Sequence, residues 1–134
     1  MTARELADYI QGRLLAEGFV IQRYNAYSTA SIYLKLDYGA CNSIRISDHR
    51  GKKYLKYRYN IGSFVQHFSR EKDNFDRFYY RDDKADNLIK KVISDKKQKL
   101  EQYGKEKYEC FMRINQNENH DKSGFWKQAY LVKE

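Results

Sequence analysis

The stretch SIYLKLDY, residues 31–38, alternates along its whole length: Ile32, Leu34, Leu36 and Tyr38 take one side of an extended chain, and Ser31, Tyr33, Lys35 and Asp37 the other. A period of two with apolar residues on one side marks a strand with one buried face. Downstream, Asp37-Tyr38-Gly39 supplies turn residues before a third strand around Ile44 and Ile46. Ser47-Asp48-His49-Arg50-Gly51 supplies them again before a fourth, where Leu55, Tyr57, Tyr59 and Ile61 alternate with Tyr54, Lys56 and Arg58. Upstream, Phe19, Val20 and Ile21 begin a short first strand. Before it, Thr2 and Glu5 stand in capping-box spacing, followed by Leu6, Ile10 and Leu14 at four-residue intervals and by Gly18. That spacing predicts an amphipathic helix over residues 3–17.

The second half of the chain is less regular. Residues 63–81 (SFVQHFSREKDNFDRFYYR) are aromatic-rich but hold neither period, so they read as loop with a short helical or extended piece. Asp82 or Asp83 can cap a second helix with Ala85, Leu88, Ile89, Val92, Ile93, Lys96, Leu100 and Tyr103 on one side, lysines on the other, and Gly104 at its end. Tyr108, Cys110, Met112 and Ile114 then alternate with Glu109, Phe111 and Arg113, as a strand would, with a continued helix as the alternative. Residues 115–124 (NQNENHDKSG) read as a polar loop, and residues 125–132 as a last apolar segment. The chain has no proline and no internal repeat, so no linker declares itself. The expected architecture is one α+β domain over residues 1–134: an N-terminal helix, an antiparallel meander of three to four strands, a long second helix packed on the sheet, and a short C-terminal strand or helix.

Composition bounds the function classes. With 134 residues, 41 % of them hydrophobic and 16 % aromatic, the chain has the size of one domain and enough apolar surface to fold. No apolar run approaches the roughly 18 residues of a membrane span, and the opening MTARELADYI lacks the apolar core of a signal peptide, so a soluble, cytoplasmic protein without membrane contact is expected. Cys41 and Cys110 are too few for a disulfide framework and read as reduced thiols.

The formal charge of +8 is localised. Residues 1–42 and 60–80 are neutral, whereas residues 43–59 carry Arg45, Arg50, Lys52, Lys53, Lys56 and Arg58 against Asp48 alone. On a strand, Tyr54, Lys56 and Arg58 share a face, Arg45 joins them from the neighbouring strand, and Arg50, Lys52 and Lys53 sit at the hairpin tip. Cations about 7 Å apart along one face can meet successive phosphates, and a tyrosine among them can stack on a base. These seven residues are the candidate contact set for a nucleic acid, DNA or RNA, or for a nucleoprotein complex. The opposing reading is a solvated hairpin whose lysines discourage edge aggregation. The lysines of the second helix are interleaved with Asp82, Asp83, Asp86, Asp95 and Glu101, the mark of a solvated face, although Lys96 to Lys99 can extend the hairpin's basic surface.

Catalytic signatures are sparse. No phosphate-cradling glycine loop and no nucleophile elbow occur, and His49, His67 and His120 lack the paired spacing of a metal site. The order His49, Asn60, His67 superficially fits a one-metal nuclease hairpin if Asn60 lies in the loop. Asp37, Asp48 and His49 form the weak enzymatic alternative, a metal-dependent nuclease. Phe75, Phe78, Tyr79 and Tyr80 offer an anchor for a protein-only interaction module or a virion component. The leading expectation is a non-enzymatic protein with no cofactor and no metal.

Residues 31–39, 43–49 and 51–60 together resemble a block found in small uncharacterised proteins of phages and prophages of Gram-positive bacteria. The resemblance brings no catalytic motif. It implies a mobile-element setting inside a bacterial host cell, where short tyrosine-rich proteins bind and block defence complexes, anti-CRISPR proteins being one such group. Several of those are acidic DNA mimics, and this chain departs from them in being basic. The helix–strand–strand–strand–helix order is also similar to the double-stranded RNA-binding fold, but here the start of the second helix is diluted by Asp82, Asp83 and Asp86.

Overall fold

The computed structural model describes residues 3–25, 31–41, 43–46, 57–61, 76–80, 82–120 and 129–132, and the backbone alone at 3, 57–61, 76–79, 82 and 117–120. Helix α1 spans Ala3–Ala16 and is followed by strands β1 (Ile21–Asn25), β2 (Ile32–Leu36), β3 (Ser43–Ile46), β4 (Tyr57–Ile61) and β5 (Asp76–Tyr80). A single 3₁₀ turn (Asp82–Lys84) leads into helix α2 (Ala85–Tyr103), then come helix α3 (Lys105–His120) and strand β6 (Tyr130–Val132). Each strand pairs antiparallel with its neighbours in the order β5-β4-β3-β2-β1-β6. The expected α+β order of helix, meander, long helix and C-terminal strand is the one observed. The extended piece within residues 63–81 is β5, which continues the meander.

Helix α1 forms because Leu6, Ala7, Ile10 and Leu14 recur on one stripe, all buried. It stops where the sequence says it should. Gly18 adopts φ 87°, its N–H donates to Leu15 O at 3.0 Å, and the Phe19 N–H reaches back to Leu14 O at 3.1 Å. These two bonds satisfy carbonyls that the helix end leaves orphaned, and both Phe19 and Leu14 enter the core.

The sheet buries one face against α1 and α2. Ile21, Ile32, Leu34, Leu36, Ile44 and Ile46 meet Leu6, Ile10 and Leu14 from α1 and Ala85, Leu88, Ile89 and Val92 from α2. Fully burying one such aliphatic side chain is worth about 1.5–3 kcal/mol, so this cluster carries the fold. Arg23 also lies on that face, 4 % exposed. It is tolerated there because its Nη1 donates to Asp8 Oδ1 at 2.7 Å and to Gln11 Oε1 at 3.0 Å, both on α1. The two helices are tied together by Tyr9, whose hydroxyl donates to Asp86, and by Arg13, 3.2 Å from the same carboxylate.

Three readings change. The alternation of residues 31–38 ends at Leu36: Asp37, Tyr38 and Gly39 take positive φ of 51°, 55° and 92° and turn the chain back toward β3. Residues 108–114 take the helical alternative, and the first part of the expected 115–124 loop joins them in α3, because Gly104 at φ 86° breaks one helix and starts the next. The capping role given to Asp82 or Asp83 falls to Lys84, which makes no side-chain cap bond. The sheet also departs from the double-stranded RNA-binding order, since β4 and β5 extend one side and β6 the other.

Candidate nucleic-acid interface

The strand residues that do not enter the α1–α2 core define a second sheet face. Along β1, β2 and β3 the half-buried positions are Gln22 and Tyr24, Tyr33 and Lys35, and Ser43 and Arg45. The antiparallel register lines them up across the strands. Tyr24 pairs with Tyr33, Tyr33 with Arg45, and Arg45 with Arg58. The next row pairs Gln22 with Lys35, Lys35 with Ser43, and Ser43 with Asn60. With neighbouring strands about 4.8 Å apart, the first row from Tyr24 to Arg58 spans about 14 Å.

Contacts within this row are aromatic and cationic. The Tyr24 and Tyr33 ring centroids lie 6.2 Å apart with planes tilted by 39°. The Arg45 guanidinium sits over the Tyr33 ring at 5.7 Å, and its Nη2 donates to Ser31 Oγ at 3.4 Å. A guanidinium held over a ring keeps its charge while its orientation becomes fixed. The row thus joins two stacking faces to two arginine positions on adjacent strands.

Of the candidate contact residues, Arg45 and Arg58 come together as cross-strand partners. Arg50, Lys52, Lys53, Tyr54 and Lys56 lie outside the described residues. Tyr24, Tyr33 and Lys35 were not in the predicted contact set. Their signal was present in the alternation of β2, but Tyr24 joins them only through the β1–β2 register.

A second polar cluster lies in the interior, between α2, α3 and the 37–41 turn. Asp37 is fully buried, with Oδ1 accepting the Val20 N–H at 2.9 Å and Oδ2 accepting the Tyr108 hydroxyl and lying 3.0 Å from Lys96 Nζ. The Lys96 ammonium also rests 4.4 Å from the Phe19 ring centroid. One turn on, Lys99 Nζ lies 3.2 Å from Asp95 Oδ2 and donates to Ala40 O at 3.1 Å, while the Cys41 thiol faces Asp95 at 3.7 Å. Burial, reinforced by Cys41 and the Asp37 carboxylate, pushes the Tyr108 phenol far above its ordinary range, so it remains a donor. This network clamps α2 and α3 onto the 37–41 turn. It also corrects the basic-surface reading of Lys96 and Lys99, since both ammonium groups turn inward and Lys97 alone of the three lysines is exposed.

The nuclease constellations are not assembled among the described residues. Both Asp37 oxygens are engaged as above, Asn60 stands in β4 opposite Ser43 instead of in a loop, and Asp48, His49 and His67 lie outside the described residues. No group of three or more His, Cys, Asp or Glu side chains is placed to hold a metal among the described residues. Of the aromatic anchor, Tyr80 packs half-buried against the main core, where burial raises its phenol pKa. Phe78 and Tyr79 stand in β5, and Phe75 lies outside the described residues. Among the described residues no helix is long and apolar enough to cross a membrane. Comparison with protein-family models, with curated proteins and with solved structures found no match to the chain.

Proposed function

We propose that the chain is a non-enzymatic binding protein that engages nucleic acid, free or held within a bacterial defence complex, through the sheet face carrying Arg45 and the hairpin between β3 and β4. The observation that carries this reading is the cross-strand row Tyr33–Arg45–Arg58, which sits at the base of the most basic segment of the sequence. Six cations against one acid within residues 43–59 give an electrostatic footprint suited to a phosphate backbone, and they carry no base-reading code. The resemblance of residues 31–39, 43–49 and 51–60 to phage and prophage proteins is what supports a role in the bacterial cytoplasm as an anti-defence, anti-CRISPR-type inhibitor.

The test is binding of labelled oligonucleotides across a salt series. With about five phosphates met on a duplex, log K falls against log salt with a slope near −4.5. A flat response removes direct nucleic-acid binding. Cleavage of the probe in Mg²⁺ that disappears with chelator replaces the binding protein with the nuclease alternative.

A further inference from the structure

The second sheet face has a geometry that discriminates between forms of nucleic acid. We infer that its ligand is single-stranded nucleic acid, stacked on Tyr24 and Tyr33 and neutralised by Lys35 and Arg45; the inference rests on the nucleic-acid reading above.

The major groove of a DNA duplex is about 12 Å wide and admits a helix or a two-stranded ribbon. The Tyr24–Arg58 row alone crosses four strands and about 14 Å, and it is embedded in a sheet of six. Such a surface does not enter the groove. It can only lie against the outside of the duplex, where phosphates are available but the bases stay stacked on one another. The tyrosine rings would then contribute nothing. An A-form duplex has a shallower minor groove, but its bases are likewise stacked inside.

A single strand reverses this. Its bases are free to stack on flat side chains, and every base has a π-face, so recognition tolerates sequence. Tyr24 and Tyr33 stand side by side on adjacent strands with their planes tilted by 39°, which offers two neighbouring platforms instead of one closed sandwich. Arg45 adds a third flat group, its guanidinium layered over Tyr33 at 5.7 Å. Lys35 lies two residues from Tyr33 along β2, hence on the same face, and Arg58 is opposite Arg45. Gln22 and Ser43 are the other described polar side chains of this face on β1 and β3. The face therefore combines backbone charge with stacking, as sequence-tolerant single-strand binders do.

The experiment is fluorescence anisotropy on the full chain at one fixed salt concentration. The probes are labelled oligo(dT) and oligo(U) of about 16 nucleotides and a DNA duplex of equal length. At least tenfold tighter binding of a single strand than of duplex is expected, and the oligo(dT) and oligo(U) arms tell DNA from RNA. Tyr24→Leu and Tyr33→Leu each weaken single-strand binding about tenfold and leave duplex binding unchanged, whereas Tyr24→Phe and Tyr33→Phe retain it because the ring is kept. The phenylalanine pair guards against misfolding as an explanation. Duplex bound as tightly as single strand, or leucine variants that bind single strands like the parent, overturns the inference and leaves the nucleic-acid reading standing. Absence of binding to all three probes overturns both.

Discussion

Lys96 Nζ lies 3.0 Å from Asp37 Oδ2, and the carboxylate it meets is completely shut off from solvent. The pair joins α2 to the 37–39 turn, and Tyr108 closes it from α3. Removing one member of such a buried pair leaves an uncompensated charge, which costs about 3–5 kcal/mol, whereas removing both is far milder. Lys96→Met is therefore expected to lower the urea midpoint strongly. Adding Asp37→Asn to it should cost much less than the sum of the single changes. Strict additivity in a double-mutant cycle would show that the two side chains do not act on one another.

Alkaline pH tests the same cluster through Tyr108. Its folded pKa is raised above the unfolded value of 10.0, so its contribution is fully present below pH 10. Above that, the unfolded chain loses a proton that the folded chain keeps, and stability falls by about 1.4 kcal/mol per pH unit. Tyr80 shifts in the same direction. Tyr108→Phe should thus flatten, without abolishing, the loss of stability between about pH 10 and pH 11, a window set by the ordinary phenol pKa. Urea midpoints of parent and variant across that window report it, and parallel slopes would contradict the buried donor.

Two glycines make opposite predictions with no packing term in either. A Cβ added at Gly12 or at Gly18 meets nothing within 4 Å. Gly12 sits inside α1, so Gly12→Ala should stabilise by about 0.5–1 kcal/mol. Gly18 holds φ 87° at the helix end, where an alanine carries a left-handed penalty of about 1–2 kcal/mol. Thermal unfolding of the two variants should move in opposite directions, and a common sign would mean that the end of α1 is built differently.

Much of this fold is written in periods that survive inspection of one segment at a time. The alternation of Ile32, Leu34 and Leu36 and the four-residue spacing of Leu6, Ile10 and Leu14 are local, and both fell where expected. In α3 the strand reading arose because Tyr108, Cys110, Met112 and Ile114 alternate by coincidence, and the helical alternative is the one observed. The positions that turn inward are Tyr108, Phe111, Met112 and Asn115, a helical spacing of three, four and seven, while Ile114 is 37 % exposed. Strand β5 was obscured for a different reason: Phe78, Tyr79 and Tyr80 are consecutive aromatics, so no contrast between its faces reaches the sequence. The charge cluster of the candidate interface was visible as composition. Arg45 beside Arg58 was also legible from the alternation of the two strands, but the tyrosines were not, because Tyr24 and Tyr33 join that row only when the strand register is known.

That register separates two contributions to binding that charge counting merges. Reversal of Lys52, Lys53, Lys56 and Arg58 to Glu together should abolish nucleic-acid binding while leaving the far-ultraviolet circular dichroism unchanged, since the sequence alternation sets Lys56 and Arg58 on the face away from Leu55, Tyr57 and Tyr59 and puts Lys52 and Lys53 at the hairpin tip. Arg45→Gln acts differently, for it removes one charge and also the guanidinium over Tyr33. On a single strand it should make the slope of log K against log salt shallower by about 0.7, the value of one phosphate contact, and weaken binding further at high salt, where screening has already removed most of the charge effect. Tyr33→Leu should leave the slope alone and lower affinity equally at every salt concentration, because stacking releases no counterions. If Tyr33→Leu changed the slope as Arg45→Gln does, the ring would be acting only as a support for the arginine and not as a platform for a base.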